Sequence, residues 1–159
     1  MESSQGPNGD LQGRASGPTV LFVHDGREHI AALEDSLRLQ RVGFTRVRNC
    51  QEAHEALEAG PVPLVVFTDT KLPDGTFEDI LVLTAKARQA VNVLVASEVG
   101  NIRLYEEAME QGAFDFLTPN IESRQFRSVF ASASSEAQER RARRRQSYVR
   151  ASRPPESVN

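Results

Sequence analysis

Leu64 to Asp69 form an apolar run that closes on a carboxylate, and a turn through Pro73, Asp74 and Gly75 follows directly. Such a run reads as a strand buried on both faces, as central strands of parallel sheets are. Asp69 then stands at the strand's carboxyl end, the edge at which open α/β sheets bind ligands.

Similar short runs recur on both sides of it. Thr19 to Val23 end in His24 and Asp25, Phe44 to Val47 form a second strand, Val93 to Ala96 end in Ser97, and Phe114 to Leu117 lead into Thr118, Pro119 and Asn120. Between the strands lie helical faces. Ile30, Leu33 and Leu37 form the first, which Gly43 is expected to cap, and Ala53, Ala56 and Leu57 form the second, ending at Gly60. Phe77, Ile80, Leu81, Thr84 and Ala85 make the third, and Ile102, Tyr105, Ala108 and Met109 the fourth, stopped by Gly112. Phe126, Val129, Phe130 and Ala133 are the inward face of the last.

Five strands alternating with five helices predict an α/β fold with a doubly wound, five-stranded parallel sheet. Of the two common strand orders for such sheets, 2-1-3-4-5 would place strands one and three together and bring Asp25 beside Asp69. The chain divides into a Gly/Ser/Pro-rich lead over 1–18, expected to be disordered, a folded domain over 19–133, and a basic helical extension or tail over 134–159.

The charge is divided in the same way. Residues 138–153 carry seven Arg against Glu139, so the net −3 of the chain conceals a tail of +6 and a remainder of −9. Arg runs of this kind gain affinity for nucleic acid or acidic partners by releasing counterions, though only Tyr148 offers a stacking ring, and a solvated helix extension is the plainer reading. There is no apolar run near the roughly 18 residues that span a bilayer, and no secretory leader pattern, so a cytoplasmic protein with no membrane partner is expected. Cys50 is the sole cysteine, and it shows no metal spacing with His29 or His54, which read as surface or helix residues. No phosphate loop, nucleophile elbow or zinc cluster is present, and an enzyme turning over a metabolite is not expected.

Two carboxylates, Asp25 and Asp69, with the Ser97 hydroxyl beside them form a hard oxygen-rich site suited to Mg²⁺. A carboxylate there can also serve as a nucleophile that forms an acyl-phosphate. Acids at strand ends alone more often mark a polar sheet edge than an active site.

From about Thr19 to Ala133 the sequence resembles the receiver domain of two-component response regulators. The landmarks are Val23-His24-Asp25, Asp69 with Pro73 four residues on, Ser97, and Gly112-Ala113-Phe114-Asp115-Phe116-Leu117. The resemblance implies Asp69 as phosphoacceptor, with Mg²⁺ held by Asp25, Asp69 and the backbone carbonyl of Lys71. It implies Ser97 as the phosphoryl-contacting switch hydroxyl and Phe116 as the switch aromatic. A sensor histidine kinase or phosphotransfer protein is the implied donor. The face of the fourth helix, fifth strand and fifth helix is implied to dimerise or meet an effector.

Three positions depart from the family pattern. His24 replaces the first acid of the pair, Glu98 follows Ser97 where a small residue is usual, and Pro119 stands where a phosphate-pairing Lys is expected. A degenerate pseudo-receiver, acting as an interaction module without phosphorylation, is the alternative.

Overall fold

The computed structural model describes residues 20–118 and 120–154. The expected disordered lead and Pro119 lie outside these residues. The elements in chain order are β1 (Val20–Val23), α1 (Glu28–Leu39), β2 (Thr45–Val47), α2 (Cys50–Ala59), β3 (Val65–Asp69), β4 (Lys71–Leu72), β5 (Gly75–Thr76), α3 (Phe77–Ala85), β6 (Asn92–Ala96), α4 (Ile102–Glu110), β7 (Asp115–Leu117) and α5 (Ser123–Ser152).

The main sheet has the order β2-β1-β3-β6-β7, all parallel, which is the expected 2-1-3-4-5 once the short β4 and β5 are set aside. β1, β3 and β6 are buried along their whole length, as apolar runs without alternation require. Phe22, Phe67 and Leu94 pack under α1 and α5, with the Phe22 and Phe67 rings stacked at 4.5 Å and Phe126 and Phe130 closing over Phe67. Leu21, Val66, Val93 and Val95 point the other way, into a second core covered by α2, α3 and α4.

The expected turn through Pro73 and Asp74 closes a small antiparallel hairpin, β4–β5, whose two-residue strands are too short to show a period. Two expectations are corrected. Gly43 does not cap α1: Arg41 takes the left-handed conformation (φ 60°), and the Val42 N–H reaches back to the Leu37 carbonyl at 3.0 Å, a Schellman closure. On α4 only Ala108 is buried, while Ile102 and Tyr105 are exposed together with Val99 just before the helix. Gly112, by contrast, does end α4 as expected, at φ 103°, with the Ala113 N–H on the Ala108 carbonyl.

The last helix is continuous through residue 133, and its packing goes beyond that point. Arg140 bonds Asn92 and the Val91 carbonyl, and Arg141 bonds the carbonyls of Val62, Pro63 and Ala90. Those groups precede β3 or stand just before or at the start of β6, so α5 runs antiparallel to the strands and is anchored at the sheet's amino edge. Two arginines expected in a solvated tail are therefore structural, whereas Arg143, Arg144, Arg145, Arg150 and Arg153 are exposed.

Candidate functional site at the carboxyl edge of the sheet

Asp69 ends β3 with only 3% of its surface exposed. Its Oδ1 accepts the Thr70 N–H at 2.7 Å and lies 3.3 Å from His29 Nε2. Burial of a carboxylate demands such partners. His29 comes from the first turn of α1, so of the expected surface or helix placement the helix holds, while its side chain is nearly buried. Among the described residues, Asp69 Oδ2 has no hydrogen-bond partner.

The strands on either side converge on this carboxylate. Val23 of β1 pairs with Thr68, and Ala96 of β6 pairs with Asp69 itself. The loops after β1 and β6, carrying Asp25 and Ser97, therefore flank Asp69. Asp25 is exposed and makes no hydrogen bond or ion pair with another described residue.

The Lys71 carbonyl is placed by the hairpin. The Phe77 N–H donates to the Thr70 carbonyl, making that the hydrogen-bonded pair, so Lys71 opposite Thr76 is the non-bonded pair. Antiparallel ladders alternate in this way, and the main-chain carbonyl of Lys71 consequently points out of the hairpin. The turn itself is pinned to α2: Asp74 accepts the N–H groups of Cys50 and Gln51, and a Cβ on Gly75 would press against Asp79 and Cys50. Burial, with Asp74 and Asp79 beside it, pushes the Cys50 thiol up to about 12 and leaves it protonated and unreactive.

His24 has left the site. It is buried, its Nδ1 accepts the Arg27 N–H at 3.1 Å, and its Nε2 meets Glu34 at 3.0 Å. Because Nδ1 accepts, the ring proton is on Nε2 and is donated to Glu34. Arg46 of β2 closes the triad with a two-pronged contact to Glu34. Burial alone would raise the Glu34 carboxyl, but the bonds from His24 and Arg46 outweigh it and hold the group down at about 2. The residue replacing the first acid thus serves as a structural tie between β1, α1 and β2.

Ser97 is buried and engaged locally. Its Oγ donates to the Val99 carbonyl at 2.6 Å and accepts the Val99 N–H at 3.2 Å. Phe116 is turned inward on β7, edge-on to Tyr105 at 6.0 Å. Glu98, between Ser97 and Val99, bonds Arg27 of the β1–α1 loop at 2.8 Å. Since β3 lies between β1 and β6 in the sheet, this ion pair links the two loops that flank Asp69.

The donors suit a water-rich Mg²⁺ site better than a protein cage. Asp25, Asp69 Oδ2 and the outward Lys71 carbonyl are all oxygens, and no cluster of three or more His, Cys, Asp or Glu capable of holding a metal occurs among the described residues.

The sequence is 30% identical over 114 residues to the response regulator protein PilR of Pseudomonas aeruginosa, covering 72% of this chain and 25% of PilR. The chain thus spans about a quarter of the length of that relative. No family model matches. The fold matches a CheY-like response regulator receiver domain protein from Methanospirillum hungatei with a TM-score of 0.67 at 15% identity, over 78% of this chain and 98% of that one. It also matches the beryllofluoride-activated NtrC4 receiver domain dimer with a TM-score of 0.64 at 21% identity, over 75% and 95% of the two chains. No helix among the described residues is long and apolar enough to cross a membrane.

Proposed function

We propose that the chain, whose sequence and fold match response-regulator receiver domains, works in the cytoplasm as a phosphorelay switch with Asp69 as the acceptor. The observation that carries this reading is the buried Asp69 carboxylate, held through Oδ1 with Oδ2 unpartnered among the described residues, between two loops that bear Asp25 and Ser97.

In the proposed reaction an Asp69 oxygen attacks the phosphorus of a phosphohistidine on a sensor kinase or phosphotransfer protein. The P–O bond of an acyl-phosphate forms, the P–N bond breaks, and the departing imidazole takes a proton from solvent. Mg²⁺, held by Asp25, Asp69 and the Lys71 carbonyl, would offset charge gathering on the phosphoryl oxygens. Ser97 would release Val99 to contact the phosphoryl group, and Phe116 would follow by moving against Tyr105. Exposed Val99, Ile102 and Tyr105 give the face of α4, β7 and α5 an apolar surface for a second copy or an effector. The chemistry ends in slow self-hydrolysis and involves no metabolite.

Incubation with acetyl phosphate and Mg²⁺ should add one hydroxylamine-sensitive phosphoryl group, absent in Asp69→Asn. No incorporation in the wild-type chain would overturn the proposal. The pseudo-receiver reading draws on the His24 triad and the His29 contact, which divert two groups at the acceptor edge into structural bonds. It requires that Asp69→Asn leave partner binding intact.

A further inference from the structure

We propose that Arg27 is the phosphoryl-binding cation of this site and that Glu98 holds it in reserve until Asp69 is modified. The inference rests on the phosphoacceptor reading of Asp69.

A phosphoryl group on Asp69 places a dianion at the end of β3, directly between the loops that follow β1 and β6. The sequence supplies Pro119, which has neither charge nor N–H, in the loop after β7. Among the described residues at this edge, His29 already lies against Oδ1, and Arg27 bonds Glu98 through Nη2. The Arg27 main chain is held in position independently of its guanidinium, since its N–H donates to buried His24. The side chain is thus a tethered cation on a fixed root.

Relative strengths favour exchange. Arg27 and Glu98 are 50% and 63% exposed, and exposed ion pairs contribute little to stability. A guanidinium on a phosphoryl dianion makes bidentate, charge-assisted bonds, which are among the strongest available. The arriving dianion also repels the Glu98 carboxylate, so one event both attracts Arg27 and loosens its partner.

The exchange reaches Ser97 because Glu98 is its neighbour in sequence. While Glu98 is bound to Arg27, the 97–99 loop keeps Ser97 Oγ folded onto Val99. Once Arg27 transfers, that loop loses its cross-site tether, and Ser97 can exchange the Val99 carbonyl for a phosphoryl oxygen. A Lys in the β7–α5 loop would bind the phosphate without releasing the 97–99 loop; Arg27 does both.

Beryllofluoride with Mg²⁺ is the probe, with bound fluoride read by ¹⁹F NMR on the full chain. Arg27→Gln should weaken binding by about tenfold or more, with Arg27→Lys in between. Glu98→Gln, which frees Arg27, should bind as well as or better than wild type. Wild-type affinity in Arg27→Gln would overturn the inference. So would equal weakening in Arg27→Gln and Glu98→Gln, which would make the pair a loop brace. Absence of binding to the wild-type chain, or binding unchanged in Asp69→Asn, would instead remove the acceptor reading and this inference with it.

Discussion

His29 Nε2 sits 3.3 Å from Asp69 Oδ1, so an imidazole on the first turn of α1 occupies one oxygen of the carboxylate proposed as acceptor. In that role, a donor on Oδ1 would draw electron density from the nucleophile and would have to be displaced or shared as the phosphoryl group arrives. His29→Ala should therefore speed acyl-phosphate formation from acetyl phosphate by about three- to tenfold, one ordinary hydrogen bond's worth. A slower variant would assign His29 to orienting the carboxylate instead.

Glu34 is buried and held down at about 2 by His24 and Arg46 despite the opposing effect of burial. A carboxyl depressed in the folded state adds stability that is complete above its unfolded pKa, about 4.3, and disappears as pH falls through 2. Glu34→Gln should cost about 3 kcal/mol at neutral pH, since it leaves the partners of a buried pair uncompensated. Urea unfolding between pH 5 and pH 2.5 should also be less pH-dependent in the variant than in wild type. An unchanged slope would show that Glu34 is not the group titrating there.

Arg41 adopts a left-handed backbone that glycine adopts freely. Arg41→Gly should stabilise the domain by roughly 0.5–1 kcal/mol, because the relief of strain outweighs the extra freedom of the unfolded chain. Gly112→Ala, at φ 103°, should destabilise by about 1 kcal/mol or more. Thermal midpoints of the two variants should move in opposite directions.

Arg141 serves the carbonyls of Val62, Pro63 and Ala90, and its removal strips three acceptors of a donor. Arg141→Ala should lose about 2–3 kcal/mol in chemical unfolding. Arg144→Ala, on an exposed position of the same helix, should stay within about 0.5 kcal/mol of wild type.

The sheet was legible because β1, β3 and β6 are built on apolar runs that demand burial on both sides. The polar network was not, since single charged residues carry no period. One signal was available: Glu34 falls in step with Ile30, Leu33 and Leu37, and a charge on the apolar stripe of a helix must find buried partners. His29 had no such mark; its contact depends on how α1 crosses the end of β3. The α1 cap was misplaced because glycine is the usual left-handed residue, while closure geometry here selects the position two residues earlier. Asp69, Asp25 and Ser97 could be located from strand ends alone. Whether Ser97 faces Asp69 or Val99 is a rotamer, which the sequence does not encode.

The anchoring of α5 has a mechanical consequence. At 1.5 Å per residue the helix is about 45 Å long, and about 16 Å of it projects past Arg141, the last residue bonded to the sheet's amino edge. Its first turns lie against the middle of β3 through Phe126 and Phe130 on Phe67. A 10° tilt about the Arg140 and Arg141 anchor would swing the far end by about 3 Å, carrying Arg143 to Arg153 with it. The positive charge lies on the free arm of a lever whose other arm rests against the strand that ends in Asp69.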